Sequence, residues 1–193
     1  HNNDIPGRPS TPAMCAKVLI LSGSPRKNGN TEILCERFAA GARDAGNEVE
    51  VLRVCGLDIH YCTGCDSCVK TGRCVHRDDM EAVREKMTAA DVIVFSSPVY
   101  FYTISAQMKT LIDRMVPFYT KLHDKSVSII VPAADPDESM LELAVESFRG
   151  LTRDCMEGAV EKGVIKATGV WEKGAVEGTD FPRAAYQMGR AIE

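Results

Sequence analysis

Short, nearly unbroken apolar runs recur along the chain at 17–22 (Lys-Val-Leu-Ile-Leu-Ser), 48–54, 91–96, 126–131 and, more weakly, 163–170. Stretches rich in helix formers separate them, at 31–45, 78–89, 105–115, 138–157 and from 181 onward. A run without polar alternation is what a strand buried on both faces requires, and a parallel sheet covered by helices on each side supplies that burial. Each strand–helix–strand crossover is right-handed, so the helices divide between the two faces. Five such strands predict an α/β, doubly wound sheet of order 2-1-3-4-5. The 193 residues fit one core of this kind. No repeat, low-complexity tract or long linker interrupts the pattern.

Residues 1–13 are rich in Asn and Pro, begin on a histidine and precede Met14. They read as an expression leader, which leaves 14–193 as a single domain. No apolar segment of signal-peptide type precedes the first strand, so a cytoplasmic location is expected. With 45% hydrophobic and 26% charged residues the composition is that of a soluble globular protein. No apolar run approaches the ~20 residues that span a bilayer. A net charge of −4, with Lys and Arg scattered, gives neither nucleic acid nor an anionic membrane a surface to hold. A small-molecule partner is expected.

In an open α/β sheet ligands bind beyond the carboxyl ends of the strands, where strand order reverses. Here that place is the loop Ser22-Gly23-Ser24-Pro25-Arg26-Lys27-Asn28-Gly29-Asn30-Thr31, which runs straight into the first helix. Exposed amides at a helix start carry roughly half a positive charge and favour a phosphate. Arg26 and Lys27 add charge-assisted donors, and Ser24, Asn30 and Thr31 are candidates to bond phosphate oxygens, with Asn28 in the same loop. A nucleoside-triphosphate loop is excluded, because Asn30 stands where lysine should precede Thr31 and the glycine spacing is one residue too long. The dinucleotide pattern Gly-x-Gly-x-x-Gly is also absent. A terminal monophosphate remains, beside the blander reading in which Gly29 and Asn30 only turn and cap the helix.

The third strand ends in Ser96-Ser97-Pro98-Val99-Tyr100-Phe101-Tyr102. Pro98 fixes the turn, and the aromatics after it emerge at the same sheet edge as the phosphate loop, where a flat apolar ring can stack. One ligand with a phosphate tail and an aromatic head accounts for both segments.

Cys62-Thr63-Gly64-Cys65-Asp66-Ser67-Cys68-Val69-Lys70-Thr71-Gly72-Arg73-Cys74 has the pattern Cys-x2-Cys-x2-Cys-x5-Cys. Cys62, Cys65, Cys68 and Cys74 have metal-ligand spacing, glycines allow the tight path, and Lys70, Arg73, His76 and Arg77 offset thiolate charge. Three outcomes stay open: a [4Fe–4S] cluster, zinc held by four thiolates, or free and reversibly oxidised thiols. Cys15, Cys35 and Cys55 read as small buried packing residues. His60, His76 and His123 lack ligand spacing and read as polar surface groups, and Asp78, Asp79 and Glu81 as the acidic start of a helix.

The segments 23–31 and 97–101, with Ser105-Ala106-Gln107-Met108-Lys109 through Asp113-Arg114, resemble the NADPH-dependent FMN reductase and iron–sulfur flavoprotein group from about residue 17 to 131. The resemblance implies a flavodoxin-like three-layer sandwich binding FMN. It places the phosphate on Ser24, Arg26, Asn30 and Thr31, the isoalloxazine beside Pro98, Val99, Tyr100 and Phe101, and Ala133 and Ala134 at the pyrimidine edge. It also implies a [4Fe–4S] cluster on the four cysteines and assembly as a homodimer or homotetramer. In place of the family's glycine-rich loop stands Pro132-Ala133-Ala134-Asp135-Pro136-Asp137, whose carboxylate would disfavour the anionic reduced flavin. Two functions follow. One is an oxidoreductase passing electrons from NAD(P)H or a reduced protein through FMN to a quinone, free flavin or other acceptor. The other is an electron carrier whose cluster takes electrons from a ferredoxin.

Overall fold

The computed structural model describes residues 15–193, and the leader assigned to 1–13 lies outside the described residues. Within them β1 (Lys17–Ser22), β2 (Glu48–Arg53), β3 (Val92–Ser96), β4 (Ser126–Pro132) and β5 (Val160–Ala167) form one parallel sheet of order β2-β1-β3-β4-β5. The helices are α1 (Asn30–Asp44), α2 (Ser67–Thr71), α3 (Met80–Ala89), α4 (Ala106–Asp113), α5 (Glu142–Thr152) and α6 (Phe181–Arg190). This is the three-layer arrangement the strand–helix alternation predicts.

Side chains of successive strand residues point to opposite faces, and β1 shows how that divides the core. Val18 and Ile20 pack with Leu34, Phe38 and Ala42 of α1 and Ala185 of α6. Leu19 and Leu21 join Met87, Met108, Leu111 and Phe148 from α3, α4 and α5 on the other face. The α1–α6 contact depends on small residues. A Cβ at Gly41 would strike the Tyr186 carbonyl oxygen, and one at Gly189 the Phe38 carbonyl oxygen.

The edges depart from the sequence expectation for physical reasons. β2 is not buried on both faces: Glu48 and Glu50 are exposed, while Val49 and Val51 pack inward, a charged edge that resists further strand pairing. β5 starts at Val160, earlier than expected, because its first residues lie exposed and carry no apolar signature. It ends at Ala167, and Gly169, at φ +70°, then redirects the chain. The helix expected over 138–157 is a 3₁₀ turn, Glu138–Leu141, followed by α5. The Asp137 carboxylate accepts from Ser139 N at 2.9 Å and fixes that turn. Cys35 is fully buried, and burial raises its pKa to about 11. Cys55 is half-buried, but Cys15, lying ahead of β1 and its helical cover, is exposed rather than packed.

Candidate functional site

β1 pairs with β2 on one side and β3 on the other, so the loops leaving β1 and β3 diverge and open a cleft between them. The first loop is tied down from beneath. Gly23 N donates to Ser96 O at 2.8 Å, and Ser105 Oγ donates to Gly23 O at 2.7 Å while accepting from Met108 N at the start of α4. A Cβ on Gly23 would lie 3.0 Å from Met108 Cβ and from Ser96 O, so a side chain there would push the loop off the sheet. Arg53, a cation with no role in the sequence reading, donates to Pro25 O at 3.4 Å and pairs with Glu32 at 3.4 Å. No side chain caps α1, which leaves its first-turn amides facing the loop.

Ser24, Arg26, Asn30, Thr31, Pro98, Val99, Tyr100, Ala133 and Ala134 converge on one cleft of about 150 Å³, closed by Pro132, Val170 and Trp171. Sharing Val99, Ala133, Ala134 and Trp171, it continues into an apolar cavity of about 360 Å³ that also holds Phe101, Tyr102, Asp135 and Met140. The loop after β1 lines the first part alone, whereas apolar walls run through both. A ligand with an anionic tail and a flat apolar head matches that gradient. Asn28 does not line it. Its backbone is left-handed, at φ +53°, and its N–H donates to the Glu32 carboxylate, so it shapes the loop instead of facing the cleft.

Tyr100 and Thr103 exchange backbone hydrogen bonds at 2.9 and 3.1 Å, closing a two-residue turn in which Phe101 and Tyr102 have φ +47° and +66°. Bulky residues rarely adopt such angles, and this turn holds Phe101 98% exposed at the cleft mouth. Val170 and Trp171 are site residues the sequence reading left without a role. The signal was faint: Gly169 just after an apolar run, then the chain's one tryptophan.

The cysteine segment lies beyond the C-terminal end of β2, wrapped by left-handed backbone at Gly64, Asp66 and Gly72. Cys62 and Cys65 are exposed, Cys68 and Cys74 half-buried, and all are free thiols. Burial and then the nearby Cys74, Cys62 and Cys65 push the Cys68 pKa up, whereas hydrogen bonds from Ser67 N–H and its hydroxyl hold Cys65 down. Among the described residues no three Cys, His, Asp or Glu side chains are gathered tightly enough to hold a metal. The donor set, four soft thiols on one tightly turned segment, nevertheless has the chemistry of a cluster site.

Beneath it lies Arg114, 2% exposed, which donates to His60 O at 2.6 Å and to both oxygens of Asp78. Its Nε is buried with no hydrogen-bond partner. Asp78 is therefore more than the acidic start of a helix. His60 and His76 stack at 4.0 Å, and His76 is half-buried instead of a free surface group.

A family model described as NADPH-dependent FMN reductase matches residues 16–151. An iron–sulfur flavoprotein of Archaeoglobus fulgidus is 40% identical over 102 residues, covering 53% of this chain and 46% of that protein. One from Methanocaldococcus jannaschii is 40% identical over 101 residues, 52% of each chain. The chain thus spans about half the length of these curated relatives. Among solved structures, an NAD(P)H:quinone oxidoreductase from Methanothermobacter marburgensis superposes with TM-score 0.74 at 16% identity, over 93% of this chain and 100% of that one. An azoreductase from Bacillus anthracis gives 0.70 at 19% identity, over 92% and 100%. At these identities the two structures speak for the flavodoxin-like fold alone.

Proposed function

The chain belongs to the NADPH-dependent FMN reductase family, and from that premise we propose that it is an FMN-dependent oxidoreductase taking electrons from NAD(P)H or a reduced protein donor. The carrying observation is the single cleft that joins uncapped α1 amides, Ser24, Arg26 and Thr31 to the walls Pro98, Val99, Tyr100, Ala133 and Ala134. FMN, when bound, supplies hydride acceptance and electron release in single steps. The protein's residues do the rest. The loop and α1 amides hold the phosphate, and the apolar walls fix the ring plane. Phe101 and Tyr102 border an open mouth through which a quinone, free flavin or other acceptor can approach. Asp135 lines the ring end, and a carboxylate there disfavours added negative charge, which supports a lowered flavin potential.

The test is to titrate the protein with FMN and then add NADPH without oxygen. Equimolar FMN binding and loss of flavin absorbance are expected. Failure to bind FMN would falsify the assignment.

The cysteine segment favours a second reading within the same family, an iron–sulfur flavoprotein in which Cys62, Cys65, Cys68 and Cys74 hold a [4Fe–4S] cluster fed by a ferredoxin. The buried Arg114, whose Nε has no hydrogen-bond partner, supports it, since a cation beneath the segment offsets the negative charge of a thiolate-bound cluster. Anaerobic protein containing about four irons per chain would establish this reading, and iron-free protein after reconstitution would remove it. A cytoplasmic location and self-association as a homodimer or homotetramer belong to the same proposal. Exposed Phe101, Tyr102 and Leu143 offer apolar surface for association, and light scattering measures the assembly. Among the described residues no helix is long and apolar enough to cross a membrane.

A further inference from the structure

Asn30 opens α1 at the phosphate end of the cleft, where its side-chain amide invites assignment as an anion donor. Its hydrogen bonds are already spent elsewhere. Nδ2 donates to Val170 O at 3.3 Å and Glu172 O at 3.0 Å, and Oδ1 accepts from Val176 N at 3.1 Å. A primary amide has two N–H donors, so nothing remains for a phosphate oxygen. Arg26 reinforces the same segment, with Nη1 donating to Trp171 O at 3.4 Å. From the other side Gly169 N donates to Asp135 O and Val170 N to Ala133 O, both at 2.9 Å. Gly169 and Gly174, at φ +70° and +83°, supply the bends. Residues 169–176 thus form a strap stitched to the phosphate loop on one side and to the loop after β4 on the other. Trp171, lining both halves of the cleft, stands on it with its side chain largely exposed.

We propose that Asn30 is a positioning residue that pins this strap so that Trp171 forms a wall against the bound flavin, and that its side chain does not bind the phosphate. The inference rests on the flavin reading above. A wall held in place beforehand slows departure of any flavin ring, whereas a phosphate donor acts only on phosphorylated flavin. FMN and riboflavin, which differ by that phosphate, separate the two roles.

The experiment compares wild type, Asn30→Ala, Trp171→Ala and Thr31→Val. It reads affinity for FMN and riboflavin and, in flavin-free protein, the anisotropy decay of the single tryptophan. Asn30→Ala should weaken both flavins by the same factor, about tenfold, and add a nanosecond motion to Trp171. Trp171→Ala, at an exposed position that leaves folding intact, should also weaken both equally. Thr31→Val should weaken FMN alone and leave the tryptophan unchanged. The proposal is overturned if Asn30→Ala loses FMN while riboflavin affinity and anisotropy stay at wild-type values, or if Trp171→Ala binds both flavins normally. A wild type that bound neither flavin would sink the flavin reading, and the anisotropy comparison would still judge the strap.

Discussion

Arg114 and Asp78 form a two-pronged ion pair beneath the cysteine segment, with Nη1 to Oδ2 at 2.7 Å and Nη2 to Oδ1 at 3.0 Å. Their side chains are 2% and 7% exposed, so neither charge can fall back on water. Arg114 directly follows α4, whose start at Ser105 holds the loop after β1, and the two residues are roughly 13 Å apart along the helix axis. One short helix therefore indexes the cleft and the cysteine segment to each other.

Removing one partner strands the other. Arg114→Met should lose about 3–5 kcal/mol in urea denaturation, and the double variant Arg114→Met/Asp78→Leu should recover much of that loss, because two matched apolar groups leave no buried charge. A double variant no more stable than the single one would contradict this account.

The same pair sets a pH dependence. Burial alone favours the neutral acid, but hydrogen bonds from Arg114, His60 N and Met80 N outweigh it and bring Asp78 from 3.8 to about 2. A carboxyl depressed on folding stabilises above its unfolded pKa, and that contribution drains away as pH falls from about 4 towards 2. Wild type minus Asp78→Asn stability should shrink across that window by roughly 2 kcal/mol. A difference that stays flat there would mean that Asp78 is not held down.

Apolar runs and loop composition are local signals, which is why β1, β3 and β4, and the meeting of the loop after β1 with the Pro98 turn at one cleft, can be read directly from residue order. Asn30 shows what cannot. An amide at a helix start serves a ligand or a neighbouring loop equally well, and the choice is made by residues 140 and more positions away. Arg114 likewise looks like an ordinary cation at a helix end until Asp78, 36 residues earlier, is folded against it. The outer half of β5 is exposed and therefore polar, so it lacks the apolar signature that marks the inner strands. Trp171 becomes a wall only when β5 is laid beside β4.

The α1–α6 crossing should be the least tolerant packing contact. Gly41→Ala would drive a methyl group into the backbone at Tyr186, and a carbonyl oxygen held in a helix cannot rotate away as a side chain can. A loss of about 3 kcal/mol or more is expected in thermal or urea unfolding. Gly150→Ala on α5, where a Cβ meets open space, is the control and should stabilise slightly through better helix propensity.

The turn at Phe101 and Tyr102 exchanges stability for a shaped cleft. Left-handed backbone at an aromatic residue costs about 1–2 kcal/mol, and Phe101 returns little by burial. Phe101→Gly should relieve that strain, less the greater freedom glycine has when unfolded, for a net gain of roughly 0.5–1 kcal/mol and a higher melting temperature. Flavin affinity should fall at the same time, since the wall at the mouth is gone. Lower stability in this variant would mean the strain is not there.

Cys68 is the cysteine whose loss should be felt most. It sits in α2, half-buried, and burial first, then the charges of Cys74, Cys62 and Cys65, disfavour its ionisation. Binding iron replaces that mutual repulsion with attraction to the metal, so the central thiolate has most to gain from a cluster. Anaerobically reconstituted Cys68→Ala should hold little iron and sulfide, while wild type holds about four irons per chain. FMN content should be unchanged, because the cleft is built by the loops after β1, β3, β4 and β5, and none of the four cysteines lines it. Cys155→Ala, which removes an exposed thiol whose sulfur meets only the Gly150 carbonyl at 3.3 Å, should keep full iron content. Equal iron in wild type and Cys68→Ala would place the metal elsewhere, and loss of FMN together with iron would show that the cysteine segment and the cleft fold as one unit.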